Sequence, residues 1–286
     1  TDGVNSISSF SLGDGFYQLF PSEGSFTTSI VSELPNYYTS NPNSQTSSFT
    51  EIGNIDIINF CLEPSSIFND LVVSVYPSLN DPRPGFDTAY QIVYKNIGTT
   101  QLSGSVSFEF DDTKLQFLNS SETVTSQTTN TLNFDFTDLN PFETRTIDLV
   151  FNVFAPPTTT IDDVLVSTAT INPVSGDETE EDNTFELNQT VIGSYDPNDI
   201  TVLEGYEIFI EDADKYLHYL IRFQNTGTAS AINVAITDEL SNDLDWSTIQ
   251  PLSSSHDYYA RITNGNFVEF IFDNINLPAE QDDAEG

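Results

Sequence analysis

The sequence predicts an all-β protein, and three observations carry that prediction. Short runs rich in Val, Ile, Phe, Tyr and Thr alternate with a period of two, clusters of Asn, Asp, Gly, Pro and Ser separate them, and no segment keeps a 3.6-residue period for three turns. Alternation puts every second side chain on one face, so each run has an apolar face to bury. Two such faces pressed together make a sandwich of roughly 100 residues, so a chain of 286 residues has room for about two to three modules.

Taken in order, Gly15-Phe16-Tyr17-Gln18-Leu19-Phe20-Pro21 and Gly24-Ser25-Phe26-Thr27-Thr28 read as two strands joined by a Pro-Ser-Glu-Gly turn. Val72 to Tyr76, Tyr90 to Tyr94, Ser105 to Phe110, Leu132 to Phe136, Ile147 to Phe154 and Val164 to Ile171 follow as strands. Their inward faces predict a core of Ile92, Tyr94, Phe108, Leu132, Phe134, Phe136, Leu149, Phe151 and Val166.

An internal repeat organises these strands. Tyr90-Gln-Ile-Val-Tyr-Lys-Asn96-Ile-Gly98-Thr99 aligns with Tyr219-Leu-Ile-Arg-Phe-Gln-Asn225-Thr-Gly227-Thr228, Leu115 and Phe117 fall opposite Leu244 and Trp246, and Leu132, Phe134 and Phe136 match Val268, Phe270 and Phe272. Each copy has an aromatic strand leaving through Asn-x-Gly-Thr, where Asn and Gly suit a turn that needs positive φ. The first copy continues through about three further strands, whereas the second stops at Gly286, soon after Leu277-Pro278. The expected organisation is therefore the end of a preceding β-module in residues 1–69, a complete sandwich in 70–193, and a second, C-terminally truncated sandwich in 194–286. The chain has no Met and no charged and apolar leader at Thr1, so it is expected to be a piece of a longer, processed protein.

Composition narrows the partners. Seven Lys+Arg against 44 Asp+Glu give a net charge of −37, and such a field repels nucleic acid and anionic lipid. Twenty-two Phe and 12 Tyr supply aromatic area that a disordered chain of this charge would lack. Cys61 is the sole cysteine, so no intrachain disulfide and no cysteine-held zinc are expected. Apolar stretches are a few residues long, against ~20 for a bilayer span, so no membrane insertion is expected.

Gly193-Ser194-Tyr195-Asp196-Pro197-Asn198-Asp199, then Tyr216-Leu217-His218-Tyr219-Leu220-Ile221-Arg222-Phe223-Gln224-Asn225-Thr226-Gly227-Thr228-Ala229, resembles a repeat family of exported Bacteroidota surface proteins. The resemblance continues through Asn233-Val234, Thr237-Asp238, Leu244-Asp245, Ser255-His256, Phe270-Ile271-Phe272 and Ile275-Asn276-Leu277-Pro278. Asn59-Phe60-Cys61-Leu62 and Arg83-Pro84-Gly85-Phe86-Asp87 look like its upstream modules. It implies immunoglobulin-like sandwiches, extracellular display, neighbouring modules of the same chain, and export by type IX secretion machinery.

The sharpest candidate for chemistry is Asp196-Pro197-Asn198-Asp199, which places oxygen side chains at i, i+2 and i+3 on a Pro-stiffened link. Asp177, Glu180, Asp182 and Asn183 precede the same junction. Ca²⁺ takes 6–8 oxygens, and clustered carboxylates repel one another unless solvated or neutralised. The candidate calcium ligands are therefore Asp196, Asn198, Asp199, Asp182 and Asp177. An Asx-turn, with Asp196 and Asn198 capping backbone N–H groups, accounts for the motif equally well. His218 and His256 lack a nucleophile-elbow context, Trp246 aligns with the core position Phe117, and Arg83-Pro84-Gly85 reads as a turn. Asn119-Ser120-Ser121, Asn188-Gln189-Thr190 and Asp87-Thr88-Ala89 fit short glycosylation patterns. The expectation is a non-enzymatic structural or adhesive stalk, with a surface glycan or protein as ligand. Two alternatives stand beside it: the accessory stalk of a secreted enzyme whose catalytic domain lies elsewhere, and a carbohydrate-binding module with an exposed aromatic platform.

Overall fold

The computed structural model describes residues 6–11, 15–30, 37–51, 53–78, 81–192, 199–205, 207–213, 215–225 and 230–279. Strands dominate, and among the described residues the helical pieces are two single 3₁₀ turns, Ile210–Asp212 and Trp246–Thr248. The chain forms two compact units, one from residues Thr1–Ile67 with Gln224–Gly286 and one from Phe68–Phe223.

The discontinuous unit begins with β1 (Ile7–Ser8), β2 (Gly24–Thr28), β3 (Tyr38–Asn41), β4 (Gln45–Phe49) and β5 (Cys61–Pro64). Strand β2 pairs with β4, and β3 with β5. The expected hairpin at the start differs here: Gly24–Thr28 is a strand, but Phe16 to Phe20 is irregular. Phe16 and Phe20 are exposed while Tyr17 and Leu19 are half-buried, and the Tyr17 hydroxyl donates to the Ile58 carbonyl at 3.0 Å, so the segment alternates as a strand does without joining a ladder.

The continuous unit carries β6 (Leu71–Pro77), β7 (Asp87–Asn96), β8 (Leu102–Phe110), β9 (Leu115–Ser120), β10 (Ser126–Gln127), β11 (Thr131–Leu139), β12 (Thr144–Val153), β13 (Val164–Asn172), β14 (Thr184–Thr190), β15 (Asp199–Val202) and β16 (Tyr219–Arg222). A four-stranded sheet in the order β6-β7-β12-β9 faces a five-stranded sheet in the order β10-β11-β8-β13-β14, and β15 pairs with β16. The pairing is antiparallel throughout. One continuous core fills the space between the sheets. At its centre Phe151 of β12 meets Tyr90, Phe108, Phe110 and Phe117 at ring separations of 4.8 to 5.9 Å. Burying one such ring contributes about 1.5–3 kcal/mol, so these aromatics fix the register of the strands that carry them.

Every predicted core residue is buried except Val166, which is 42 % exposed. Strand β13 turns Leu165, Ser167, Ala169 and Ile171 inward instead. A strand of mixed Val, Leu and Thr offers two plausible faces, and a one-residue slip exchanges them.

The chain then returns to the first unit with β17 (Val234–Glu239), β18 (Tyr259–Thr263) and β19 (Phe267–Phe272), giving a sheet in the order β1-β18-β19-β17. Val268 and Phe272 of β19 are buried, like their repeat equivalents Leu132 and Phe136. Trp246 is partly buried on its 3₁₀ turn, as its repeat equivalent Phe117 is at the edge of the first core, and its indole N–H donates to the Ser241 carbonyl at 2.7 Å.

The repeated asparagine does the same work in both copies. Asn96 Nδ2 donates to the Leu139 carbonyl at 2.9 Å, and Asn225 Nδ2 donates to the Leu277 carbonyl at 3.0 Å. Each ties the exit of its aromatic strand to backbone more than 40 residues on, just ahead of Asn140-Pro141 or Pro278. The glycine of the motif has a different reason from the one expected. Gly98 does not adopt positive φ; a Cβ there would lie 2.7 Å from both the Asp70 nitrogen and the Phe68 carbonyl oxygen. It is required by close approach of two backbones.

Candidate metal centre

Strand β6 is the edge of its sheet, and the loop between β13 and β14 covers that edge. Asp177 Oδ2 accepts from the Leu71 N–H at 2.8 Å, the Val73 N–H donates to the Asp182 carbonyl at 3.1 Å, and the Glu178 N–H donates to the Asn69 carbonyl at 2.9 Å. The loop is internally bent by its own polar groups: the Thr179 N–H donates to Asp177 Oδ1 and the Asp182 N–H to the Thr179 carbonyl, each at 3.1 Å. This is an Asx-turn at Asp177, the local chemistry expected of an Asp-rich turn.

Opposite the loop, Asp70 is 3 % exposed and held through its main chain, its carbonyl accepting from the N–H groups of Ile97 and Gly98 at 2.9 and 3.0 Å. The result is a convergence of Asp70, Asp177 and Asp182 in which carboxylate oxygens from all three lie within 4.8 Å of one another. Asn183, fully buried, donates from Nδ2 to the Leu71 carbonyl at 2.9 Å and to Asp177 Oδ2 at 3.4 Å. Asp182 Oδ1 and Asn183 Oδ1 are buried oxygens with no hydrogen-bond partner. Burial, and then the charges of Asp70, Asp177 and Glu181, push the Asp182 carboxyl up to about 8. Burial and neighbouring negative charge both disfavour the ionised form of this group.

Of the five residues singled out from the sequence, the fold brings Asp177 and Asp182 together. Asp196 and Asn198 lie outside the described residues. Asp199 sits elsewhere, on β15, where Arg222 Nε donates to its Oδ1 at 2.8 Å and Arg222 Nη2 to its Oδ2. The same guanidinium binds Asp81 through Nη1 at 2.7 Å and Nη2 at 3.1 Å. Hydrogen bonding to Arg222 holds the Asp199 carboxyl below its usual range. Asp70 and the buried amide of Asn183 were not singled out as ligands together with Asp177 and Asp182. Asp70 is 107 residues before Asp177, and only the packing of the loop on β6 reveals the pair.

The histidines sit in ordinary surroundings. His218 contacts Glu204 Oε1 through Nδ1 at 2.6 Å and meets Phe185 edge-on at 4.7 Å, while exposed His256 contacts Ser255 Oγ at 2.9 Å. Glu180 is exposed.

Against known proteins, a family model described as a domain of unknown function, DUF7619, matches residues 196–286. No curated protein matches the chain. Among solved structures, the CARDB domain of the PF1109 protein from Pyrococcus furiosus, determined in complex with di-metal ions, is 18% identical, with 45% of this chain and 98% of that one covered and a TM-score of 0.32. The seventh ScaB type I cohesin from Pseudobacteroides cellulosolvens is 12% identical, covering 43% and 94%, also at 0.32. The cohesin CaCohA2 from Clostridium acetobutylicum is 16% identical, covering 44% and 94%, at 0.30. No helix among the described residues is long and apolar enough to cross a membrane.

Proposed function

We propose that the chain is a non-enzymatic structural and adhesive segment of a secreted bacterial cell-surface protein, exported by the type IX route, with calcium as its stiffening ion. The observation that supports this reading is how the Phe68–Phe223 unit uses its buried polar groups. Buried Asn96 and Asn183, with half-buried Asp177, join strand ends to distant backbone around a filled aromatic core. Such groups rigidify a module when they are satisfied. A single-molecule pulling experiment tests it. The Phe68–Phe223 unit is expected to resist load and then release roughly 500 Å of chain in one step. Gradual extension without a discrete step would refute the stalk reading.

A second reading has its own observation, in the discontinuous unit. On the outward side of β18 and β19, Tyr259 and Phe267 are exposed, and Phe20, 68 % exposed, lies 6.4 Å from Tyr259 between ring centres. Arg261 and Glu269 pair beside them, and Asn264 and Asn266 line the same open groove. Aromatic faces flanked by polar side chains suit a saccharide, whose ring stacks while its hydroxyls hydrogen-bond. Glycan-array binding that is lost in Phe20→Ala/Tyr259→Ala would establish this adhesive surface. Equal signal from that variant would remove it.

A further inference from the structure

We infer that Asp70, Asp177, Asp182 and the side-chain carbonyl of Asn183 form a calcium site that clasps the first strand of the Phe68–Phe223 sandwich to the loop preceding its last strand. The inference rests on the structural reading for its purpose and deepens it by locating the ion within the sandwich rather than at Asp196-Pro197-Asn198-Asp199.

Geometry carries the argument. Oxygens bound to one Ca²⁺ at about 2.4 Å can be no more than about 4.8 Å apart, and the three carboxylates supply oxygens within that limit. The donors are all oxygen, a set that suits a hard cation rather than zinc or copper. A second observation is independent of the acidic residues. Asn183 is fully buried, and its Oδ1 has no hydrogen-bond partner although its Nδ2 is bonded both to β6 and to Asp177. A buried amide oxygen without a donor is costly, and a cation at the adjoining carboxylates satisfies it. Four of the unit's basic side chains pair with other carboxylates: Lys114 with Asp163, Arg145 with Glu143, Lys215 with Asp212, and Arg222 with Asp81 and Asp199. Among the described residues neither Asp177 nor Asp182 is in an ion pair with Lys or Arg. Calcium is favoured over Mg²⁺ because an irregular cage of loop carboxylates and an amide fits its flexible coordination, whereas Mg²⁺ demands near-ideal octahedral geometry.

The test uses the whole chain, stripped with chelator, melted with and without millimolar CaCl₂, and titrated calorimetrically with CaCl₂ and MgCl₂. Asp182→Asn is the informative variant, because Asp182 Oδ1 accepts no hydrogen bond that the substitution would break. In chelator the variant is expected to melt at or above wild type, since the carboxyl crowded against Asp70 and Asp177 is gone. In calcium the order is expected to reverse, with Ca²⁺ affinity reduced roughly tenfold or more. A variant that merely folds badly would melt lower in both buffers, and Asp177→Asn then supplies the calorimetric comparison. Asp199→Asn is expected to keep the wild-type calcium response. The inference is overturned if calcium leaves the wild-type melting temperature unchanged, or if the full response survives in both Asp182→Asn and Asp177→Asn. Neither outcome bears on the stepwise unfolding under load, which separately decides the structural reading.

Discussion

Asp182 and Asp199 lie 17 residues apart in one acidic stretch, yet the fold gives them opposite electrostatics. Asp199 receives two hydrogen bonds from Arg222, and its carboxyl is held low. Asp182 is crowded by Asp70, Asp177 and Glu181, and its carboxyl is driven high. The difference teaches that density of acidic residues does not define a cation site. With seven Lys+Arg against 44 Asp+Glu, the placement of each basic residue decides which carboxylates are paired with a cation and which are crowded by their own kind.

The largest effect expected from breaking this contrast is at Arg222. Its side chain is 12% exposed, and Arg222→Ala strands Asp81 and Asp199 beside each other. Loss of charge-assisted hydrogen bonds of this kind costs about 2–3 kcal/mol, to be read by urea denaturation. A change below about 0.5 kcal/mol would show the network to be a surface ornament.

A subtler effect sharpens the contrast through pH, measured in chelator. The Asp182 carboxyl ordinarily titrates at 3.8 and in the fold at about 8. Between those values the folded state holds a proton that the unfolded chain has released, so this residue makes stability fall as pH rises from about 4 to about 8. Asp199 has the opposite sign. Its folded value lies below 3.8, so its contribution is present above that value and is lost as pH falls toward the folded value. Replacing Asp182 by Asn should flatten the slope on the neutral side and leave the acid limb intact. An unchanged neutral slope would contradict the crowding.

Much of the architecture was legible because it is written locally. Alternation located β6, β7, β8, β11, β12 and β13, and the repeated Tyr/Asn/Gly pattern marked two strands whose asparagines bond equivalent carbonyls. Misreadings arose where the deciding contact is distant. Val166 could face either way until β13 was set beside β8 and β14. Gly98 looked like a turn glycine, whereas its need comes from the backbone at Phe68 and Asp70. The carboxylate convergence was half legible: Asp177 and Asp182 are close in sequence, but Asp70 joins them only through the covering of the β6 edge. Arg222 did leave a trace, standing where the first repeat has Val93, and a lone cation in a strand of so acidic a chain is a sign of paired carboxylates nearby.

The stitching of β6 by the β13–β14 loop also has a consequence for order of assembly. The bonds from Leu71 to Asp177 and Asn183 span 106 and 112 residues of chain. A polypeptide emerging amino end first, from a ribosome or through a secretion pore, exposes β6 long before its cover exists. Until residue 183 has emerged, the Leu71 and Val73 N–H groups on that edge are left to water or to a neighbouring chain. Closing so long a loop is slow, so the sandwich is sealed late. The segment that delivers the acidic groups is also the latch that ends the vulnerable interval.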